Sequence, residues 1–161
     1  MKKAKVLLLF GLLQVLVSCD SDSREDSPSE IAVYQIGLAY KGVNMNQEPV
    51  FSGNDILWFD EKTREIKFKD SSAIAQKLPF GETVVFKHSD VELFTAHVLA
   101  DTTQVQYDDL SLVYNISMKA YYLNDCYPKI LDRPSVKLNA EIRAENWTLF
   151  LIQLRKENRI K

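Results

Sequence analysis

The sequence is poor in the residues that most often reveal chemistry. Its 161 residues include two cysteines, Cys19 and Cys126, and two histidines, His88 and His97. Because Cys126 is the only cysteine outside the N-terminal segment, no intramolecular disulfide can form in the part of the chain expected to fold. If Ser89-Asp90 is a hairpin turn, His97 lies about 20 Å from His88 at roughly 3.3 Å per residue, which excludes a metal ion shared by the two.

Motifs for catalysis and cofactor binding are also absent. There is no G-x-S-x-G elbow, no glycine-rich phosphate loop and no H-E-x-x-H. Asp108-Asp109 lacks the alternating oxygen ligands and the glycine of a calcium loop. Cys126 has no identifiable activating histidine, and His97 lies between apolar neighbours, so both are interpreted as structural residues. We therefore predict no catalytic residue, no metal ligand and no cofactor.

No hydrophobic run is long enough to remain in a membrane as a spanning helix. Val6 to Val17 has about a dozen residues, against the roughly 20 that a bilayer requires. Lys2, Lys3 and Lys5 precede this run, and Leu16-Val17-Ser18-Cys19 ends it. This order is typical of a lipoprotein signal peptide over residues 1–18, with Cys19 lipidated after cleavage. An unmodified cysteine in an ordinary secretory signal is the alternative.

Residues 19–30 are predicted to form the lipidated cysteine and a flexible acidic tether. Between Asp20 and Glu30 there is no aliphatic or aromatic residue to bury. The acid-rich start resembles the export signal that sends lipoproteins of Bacteroidota to the outer face of the outer membrane, so we expect a lipid-anchored, surface-exposed protein. In enterobacterial lipoproteins aspartate directly after the cysteine marks retention, which makes a periplasm-facing or inner-membrane location the alternative.

Charge and length limit the possible partners and the size of the folded part. Residues 1–18 hold three of the 20 basic residues and none of the 22 acidic ones, so the remaining chain has a formal net charge of −5. Nucleic acids and anionic membrane surfaces are therefore poor partners. Residues 31–161 are enough for a single domain that buries roughly two thirds of its unfolded surface.

This domain is predicted to be α+β, with an antiparallel β-meander at its centre. Strands are expected over residues 31–40, 56–59, 65–69, 82–88, 91–99, 110–116 and 118–123. Ile66 and Phe68 alternate with charged residues, which indicates a sheet with one solvated face. Residues 60–63 and the Ser89-Asp90 pair are the expected turns.

Two helices are predicted. A short one near residues 72–77 would be capped by Ser71 or Ser72 and closed by Pro79. Near the C-terminus, apolar residues recur at helical spacing and charged residues lie elsewhere around the helix, which indicates one amphipathic helix packed on the sheet. Asn139 is its candidate N-cap. The apolar positions are Trp147, Phe150, Leu151 and Leu154.

Tyrosines are the candidate ligand-binding residues. Exposed tyrosines stack on sugars or anchor protein contacts at low entropic cost. Tyr121 and Tyr122 are adjacent, so in a strand they face opposite sides and one of them reaches the solvated face. We take Tyr121, Tyr122 and Tyr127 as candidate ligand contacts, while ordinary sheet residues remain the alternative interpretation.

A series of short segments resembles a group of small uncharacterised surface lipoproteins from gut Bacteroidales. The segments are residues 54–59, Thr63-Arg64-Glu65-Ile66-Lys67-Phe68, Leu93-Phe94, Asp108-Asp109-Leu110, residues 121–128 and Glu145-Asn146-Trp147. The resemblance covers most of the chain from about residue 31. It implies a source and a surface location, and it supplies no catalytic residues.

These observations favour a non-enzymatic, membrane-anchored lipoprotein whose domain binds a glycan or a protein. Two alternatives remain open. One is a small hydrolase or protease inhibitor with an unrecognised site, which a pocket holding His97 or Asp125 beside another ionisable group would favour. The other is a structural component of the cell envelope.

Overall fold

The computed structural model describes residues 29–36 and 48–161. The predicted signal peptide, Cys19, most of the tether and the end of the first predicted strand lie outside them. The described elements are β1 (Ile31–Ile36), β2 (Phe51–Ser52), β3 (Ile56–Phe59), β4 (Glu65–Phe68), α1 (Ser71–Lys77), β5 (Thr83–His88), β6 (Val91–Ala100), β7 (Ser111–Asn115), β8 (Ala120–Asn124), α2 (Pro134–Ile142) and α3 (Ala144–Lys156). The α+β class is confirmed.

The eight strands of the described residues belong to one sheet, in the order β2-β1-β5-β6-β7-β8-β4-β3. The β5–β6 and β3–β4 pairs form as predicted. The antiparallel meander is wrong at β6 and β7, which run parallel with His97 opposite Ser111 and Ala100 opposite Tyr114. Parallel neighbours require a crossover, and residues 101–110 provide it. Alternating hydrophobicity is the same in both orientations, so the pattern did not distinguish them.

The core lies between the inner face of the sheet and α3. Ile66 and Phe68 point inward and are each 1 % exposed, as their alternation with charged residues predicts. From α3, Phe150 and Leu154 are fully buried in the same cluster, with Trp147 and Leu151 packed at its margin. Aromatic rings join the two layers: Phe150 lies edge-on to Phe59 and Phe86, with centroids 5.8 Å apart in both pairs.

The crossover covers part of the outer face. The Tyr107 ring stacks on His97 with centroids 4.0 Å apart, and the backbones of Tyr107 and Tyr127 exchange two hydrogen bonds. The Tyr127 hydroxyl donates to the carbonyls of Asp101 and Thr103 at 2.8 and 3.0 Å. At this point both faces of the sheet are covered. Because Tyr107 contacts both His97 of β6 and Tyr127, the segment after β8 lies close to β6.

The C-terminal segment contains two helices, so the prediction of one helix is wrong. Pro134 occupies the first turn of α2, where its missing N–H removes no helical hydrogen bond. Asn139 lies inside α2 and is not a cap. Arg143, with φ −92° and ψ 1°, separates α2 from α3. The apolar face predicted from Trp147 to Leu154 belongs to α3 alone.

The short helix α1 has a different cap from the predicted serines. Asp70, in extended conformation, accepts hydrogen bonds from the backbone N–H groups of Ser72 and Ala73, both at 3.0 Å. A carboxylate one residue earlier therefore takes the role assigned to Ser71 or Ser72. Within the described residues, no helix is long and apolar enough to cross a bilayer.

Candidate functional site

The three candidate tyrosines do not form one surface. Tyr121 points into the core and is 2 % exposed, so it has no surface to offer a ligand. Tyr122 is half-buried on the opposite face, as the predicted alternation requires. Tyr127 is also half-buried, and its hydroxyl holds the crossover. Tyr122 and Tyr127 stay predictions as ligand contacts.

A different group of side chains gathers where α2 meets α3. Asp125, just after β8, receives two arginines: Arg64 Nη2 lies 3.1 Å from Oδ2, and Arg143 Nη2 lies 2.7 Å from Oδ1. The side chains of Arg64 and Asp125 are each 22 % exposed and that of Arg143 is 10 % exposed. One carboxylate thus ties the sheet edge to the helix junction.

The backbone places both arginines at turns. Arg64 ends the turn between β3 and β4 with φ +67°, and its backbone N–H donates to the carbonyl of Asp60 at 2.8 Å. Arg143 occupies the junction that separates the two C-terminal helices. Both guanidiniums therefore start from residues that lie between two secondary-structure elements, and both reach Asp125.

Trp147 completes this group. The Arg64 guanidinium lies over its indole ring, 4.1 Å from the centroid, a cation–π arrangement that fixes the plane of the guanidinium. Burial lowers the pKa of Arg64, the Asp125 carboxylate raises it, and the nearby Arg143 lowers it again. The two cations therefore repel each other across the single carboxylate. We call Arg64, Asp125, Arg143 and Trp147 the arginine cluster.

Two pockets share Arg143. One, of about 240 Å³, is lined by the arginine cluster with Ala140, Ala144 and Thr148. The other, of about 210 Å³, lies toward β6, and its polar lining includes Asp109, Asn139 and Asn146. Each is smaller than the roughly 300–1,000 Å³ of most small-molecule sites. Each pocket therefore suits a single chemical group or one sugar ring rather than a large cofactor.

The arrangement suits binding better than acid–base catalysis. Asp125 lies in a pocket beside ionisable groups, the condition set for the hydrolase alternative, but these groups are guanidiniums and occupy both carboxylate oxygens. A guanidinium stays protonated and cannot exchange a proton in a reaction at neutral pH. His97 contacts Thr83 through Nδ1 at 3.2 Å and lines neither pocket.

The other residues considered for catalysis or metal binding are buried or paired with neighbouring groups, as structural residues are. Cys126 is fully buried, and its sulfur is 3.4 Å from the carbonyl oxygen of Pro128. Asp108 pairs with Arg133 at 2.7 Å, and His88 Nε2 lies 2.6 Å from a carboxylate oxygen of Glu30. Over residues 29–36 and 48–161, no three His, Cys, Asp or Glu side chains come together as metal ligands.

The arginine cluster was not predicted from the sequence. No spacing rule links residues 64, 125, 143 and 147, because only the folded chain brings them together. Many proteins have an arginine just before a strand, and many have a tryptophan in an amphipathic helix. Neither feature is specific enough to predict a binding site. Comparison with known proteins adds no relative, since no family model, no curated protein and no solved structure matches the chain.

Proposed function

We propose that this protein is a lipid-anchored lipoprotein of the bacterial outer membrane that binds a glycan or a protein at the cell surface. The N-terminal sequence and the arginine cluster each support this function. The N-terminal sequence predicts a lipidated Cys19 and an acidic tether, as in the surface lipoproteins of gut Bacteroidales that the chain resembles. The arginine cluster supplies a place where the domain can hold a ligand.

The observation that carries the binding function is the arrangement at Arg143. Its guanidinium borders both pockets and makes one hydrogen bond, through Nη2 to Asp125, among the described residues. A guanidinium has five N–H donors in a fixed fork. The donors that remain are held by a helix junction and an ion pair, which is the preorganisation that a binding site requires.

Protease treatment of intact cells tests the location. We expect a surface protein to be digested while a periplasmic and an inner-membrane control survive, with each protein followed by immunoblot. Protection of this protein under the same conditions would contradict surface exposure. The domain would then face the periplasm, the alternative location for the same anchor.

Binding is tested with the full-length protein in detergent. We expect a signal on an array of bacterial and host glycans, or capture of a stoichiometric protein partner from intact cells. An empty array together with an empty pull-down would contradict the binding function. A partner held in fixed ratio without ligand selectivity would instead favour a structural envelope component.

The hydrolase alternative is supported only by the position of Asp125 in a pocket. It predicts that any glycan or peptide bound by the protein is shortened on incubation and that Asp125→Asn stops the reaction. The binding function predicts that the ligand is recovered intact, which chromatography of the released ligand measures.

A further inference from the structure

The arginine cluster has one positive charge more than its own residues balance. Two guanidiniums share a single carboxylate, although the chain after residue 18 is acidic, with a net charge of −5. Glu61, the other carboxylate that acts on Arg64, is itself 2.6 Å from Arg155. A half-buried excess of positive charge is costly unless an anion accompanies it.

Unused donors accompany this charge. Arg64 and Arg143 each donate hydrogen bonds to described residues only through the Nη2 atom of the guanidinium. Arg64 Nη1 is buried and has no hydrogen-bond partner among the described residues. An unpartnered buried N–H of a charged group costs more than a neutral one, so a negative charge held beside the two guanidiniums lowers the free energy of the cluster.

We infer that the arginine cluster binds the carboxylate group of an acidic glycan, with Arg143 as the central contact. The inference rests on the proposed binding function and names its ligand class. A carboxylate has a single negative charge, which matches the single excess positive charge. Its planar pair of oxygens also matches the fork of a guanidinium.

The pocket toward β6, which also borders Arg143, offers polar groups to the rest of the sugar ring. Asn139 Nδ2 donates to the carbonyl of Asp108 at 3.0 Å, and Asn146 Nδ2 donates to that of Leu93 at 2.7 Å. Both amides are thereby oriented, and each retains an oxygen as an acceptor. Together with the exposed carboxylate of Asp109, they provide acceptors for hydroxyl groups next to an arginine.

This combination favours a glycan over an acidic peptide. A sugar acid has its carboxylate and several hydroxyl groups on one ring, so one residue can reach both sides of Arg143. An acidic side chain has its carboxylate at the end of an apolar stem and has no hydroxyl to offer the asparagines. The polar lining of the second pocket would then have no partner.

The test measures binding of full-length protein in detergent to four probes. They are a galacturonic acid oligomer, its neutral methyl ester, dextran sulfate and polyglutamate. We expect the galacturonic acid oligomer to bind, the methyl ester to bind at least about 30-fold more weakly, and added salt to weaken binding. Equal binding of the ester or of dextran sulfate would overturn the carboxylate assignment.

Substitutions locate the contact. Arg143→Gln is expected to weaken binding of the galacturonic acid oligomer by at least about 30-fold, and Arg143→Lys by less because it keeps the charge and loses the fork. Lys156→Gln, which removes an exposed positive charge from the last turn of α3, is the matched control and should bind normally. Equal losses in Arg143→Gln and Lys156→Gln would mean non-specific charge attraction and would overturn the inference.

A variant that adds a group keeps the test decisive if Arg143→Gln does not fold. Ala144 is exposed and lines the pocket formed by the arginine cluster. It is the first residue of α3, where the helix dipole favours a carboxylate. Ala144→Glu is expected to place an internal anion beside the guanidiniums, abolish binding of the oligomer and leave thermal stability equal or higher. Unchanged binding in Ala144→Glu would overturn the inference.

The outcomes separate this inference from the proposed function. Binding of neutral glycans that is independent of Arg143 would overturn the inference and leave the binding function standing. Arg143-dependent binding of polyglutamate alone would replace the glycan with an acidic protein. Absence of every ligand and partner would remove the binding function itself.

Discussion

Tyr121 shows how the fold decides the role of a single residue. Its ring packs edge-on against Phe68 and beside Tyr114, with centroids 5.3 and 4.8 Å away. Its hydroxyl is buried without a hydrogen-bond partner among the described residues. Burial, with a smaller effect of Tyr114, raises the pKa of Tyr121 to about 12. Tyr121, a candidate ligand contact, therefore has a buried hydroxyl that costs stability.

Removal of this hydroxyl should stabilise the protein. We expect Tyr121→Phe to raise the free energy of unfolding by about 1 kcal/mol, because an unsatisfied buried polar group is lost and the ring remains. Tyr122→Phe is the matched control on the outer face and should change it by less than about 0.5 kcal/mol. Urea titrations measure both. A loss of stability in Tyr121→Phe would reveal a hydrogen bond that the structure lacks.

The raised pKa of Tyr121 also predicts a dependence on alkaline pH. The unfolded chain loses this proton near pH 10 and the folded chain near pH 12, so the unfolded state binds fewer protons between these values. The free-energy cost of burying the Tyr121 hydroxyl is therefore constant below about pH 10 and increases as pH rises toward 12, so stability falls over this range. The stability gap between Tyr121→Phe and wild type should widen over this range in urea titrations.

At the scale of secondary structure, the ends of elements depend on side chains that periodicity does not reveal. The apolar positions of α1 fit the helix, but its first turn is held by Asp70. Arg143 similarly divides a continuous stretch of helix formers into α2 and α3. Such boundaries follow from local hydrogen bonds and backbone angles rather than from burial.

The cap of α1 can be tested by comparing neighbours. Asp70→Ala is expected to lower the free energy of unfolding by about 1 kcal/mol, because two backbone N–H groups lose their acceptor. Ser71→Ala and Ser72→Ala should each change it by less than about 0.5 kcal/mol. Thermal unfolding followed by circular dichroism distinguishes them. A larger loss in either serine variant would contradict the role of Asp70.

The crossover between β6 and β7 adds a dependence on acidic pH. Burial beneath the crossover lowers the pKa of His97, an effect that the charge of Asp109 partly opposes. As pH falls below about 6.5 the unfolded chain takes up this proton first, so the contribution of His97 to stability is present above that pH and lost below it. His97→Gln should reduce the loss of stability between about pH 7.5 and pH 5. An identical loss in wild type and variant would contradict this account.

At the scale of the whole molecule, the proposed lipid anchor at Cys19 would attach the domain to a membrane. Acyl chains contribute about 0.8 kcal/mol per buried methylene, so a lipidated Cys19 is sufficient for attachment. We expect cells fed an alkyne fatty acid to label the wild-type protein and the Cys126→Ala variant, and to leave Cys19→Ala unlabelled. Labelling of Cys19→Ala would contradict lipidation at that residue.

The sequence by itself determined the features that depend on local order. Alternation at Ile66 and Phe68 predicted a strand with one buried face, the Ser89-Asp90 turn predicted the β5–β6 hairpin, and helical spacing from Trp147 to Leu154 predicted the buried face of α3. Each of these signals lies within a few residues of chain. The proposed anchor at Cys19 also depends on local sequence.

Only the tertiary structure decided the features that join distant parts of the chain. The parallel direction of β6 and β7 depends on the path of residues 101–110 over the outer face. Apolar residues alternate with a period of two in parallel and antiparallel strands alike, so the pattern does not reveal strand direction. The arginine cluster joins a turn, a strand end and a helix junction through one carboxylate. Charge complementarity between residues 64, 125 and 143 arises from proximity in space, which residue spacing along the chain does not encode.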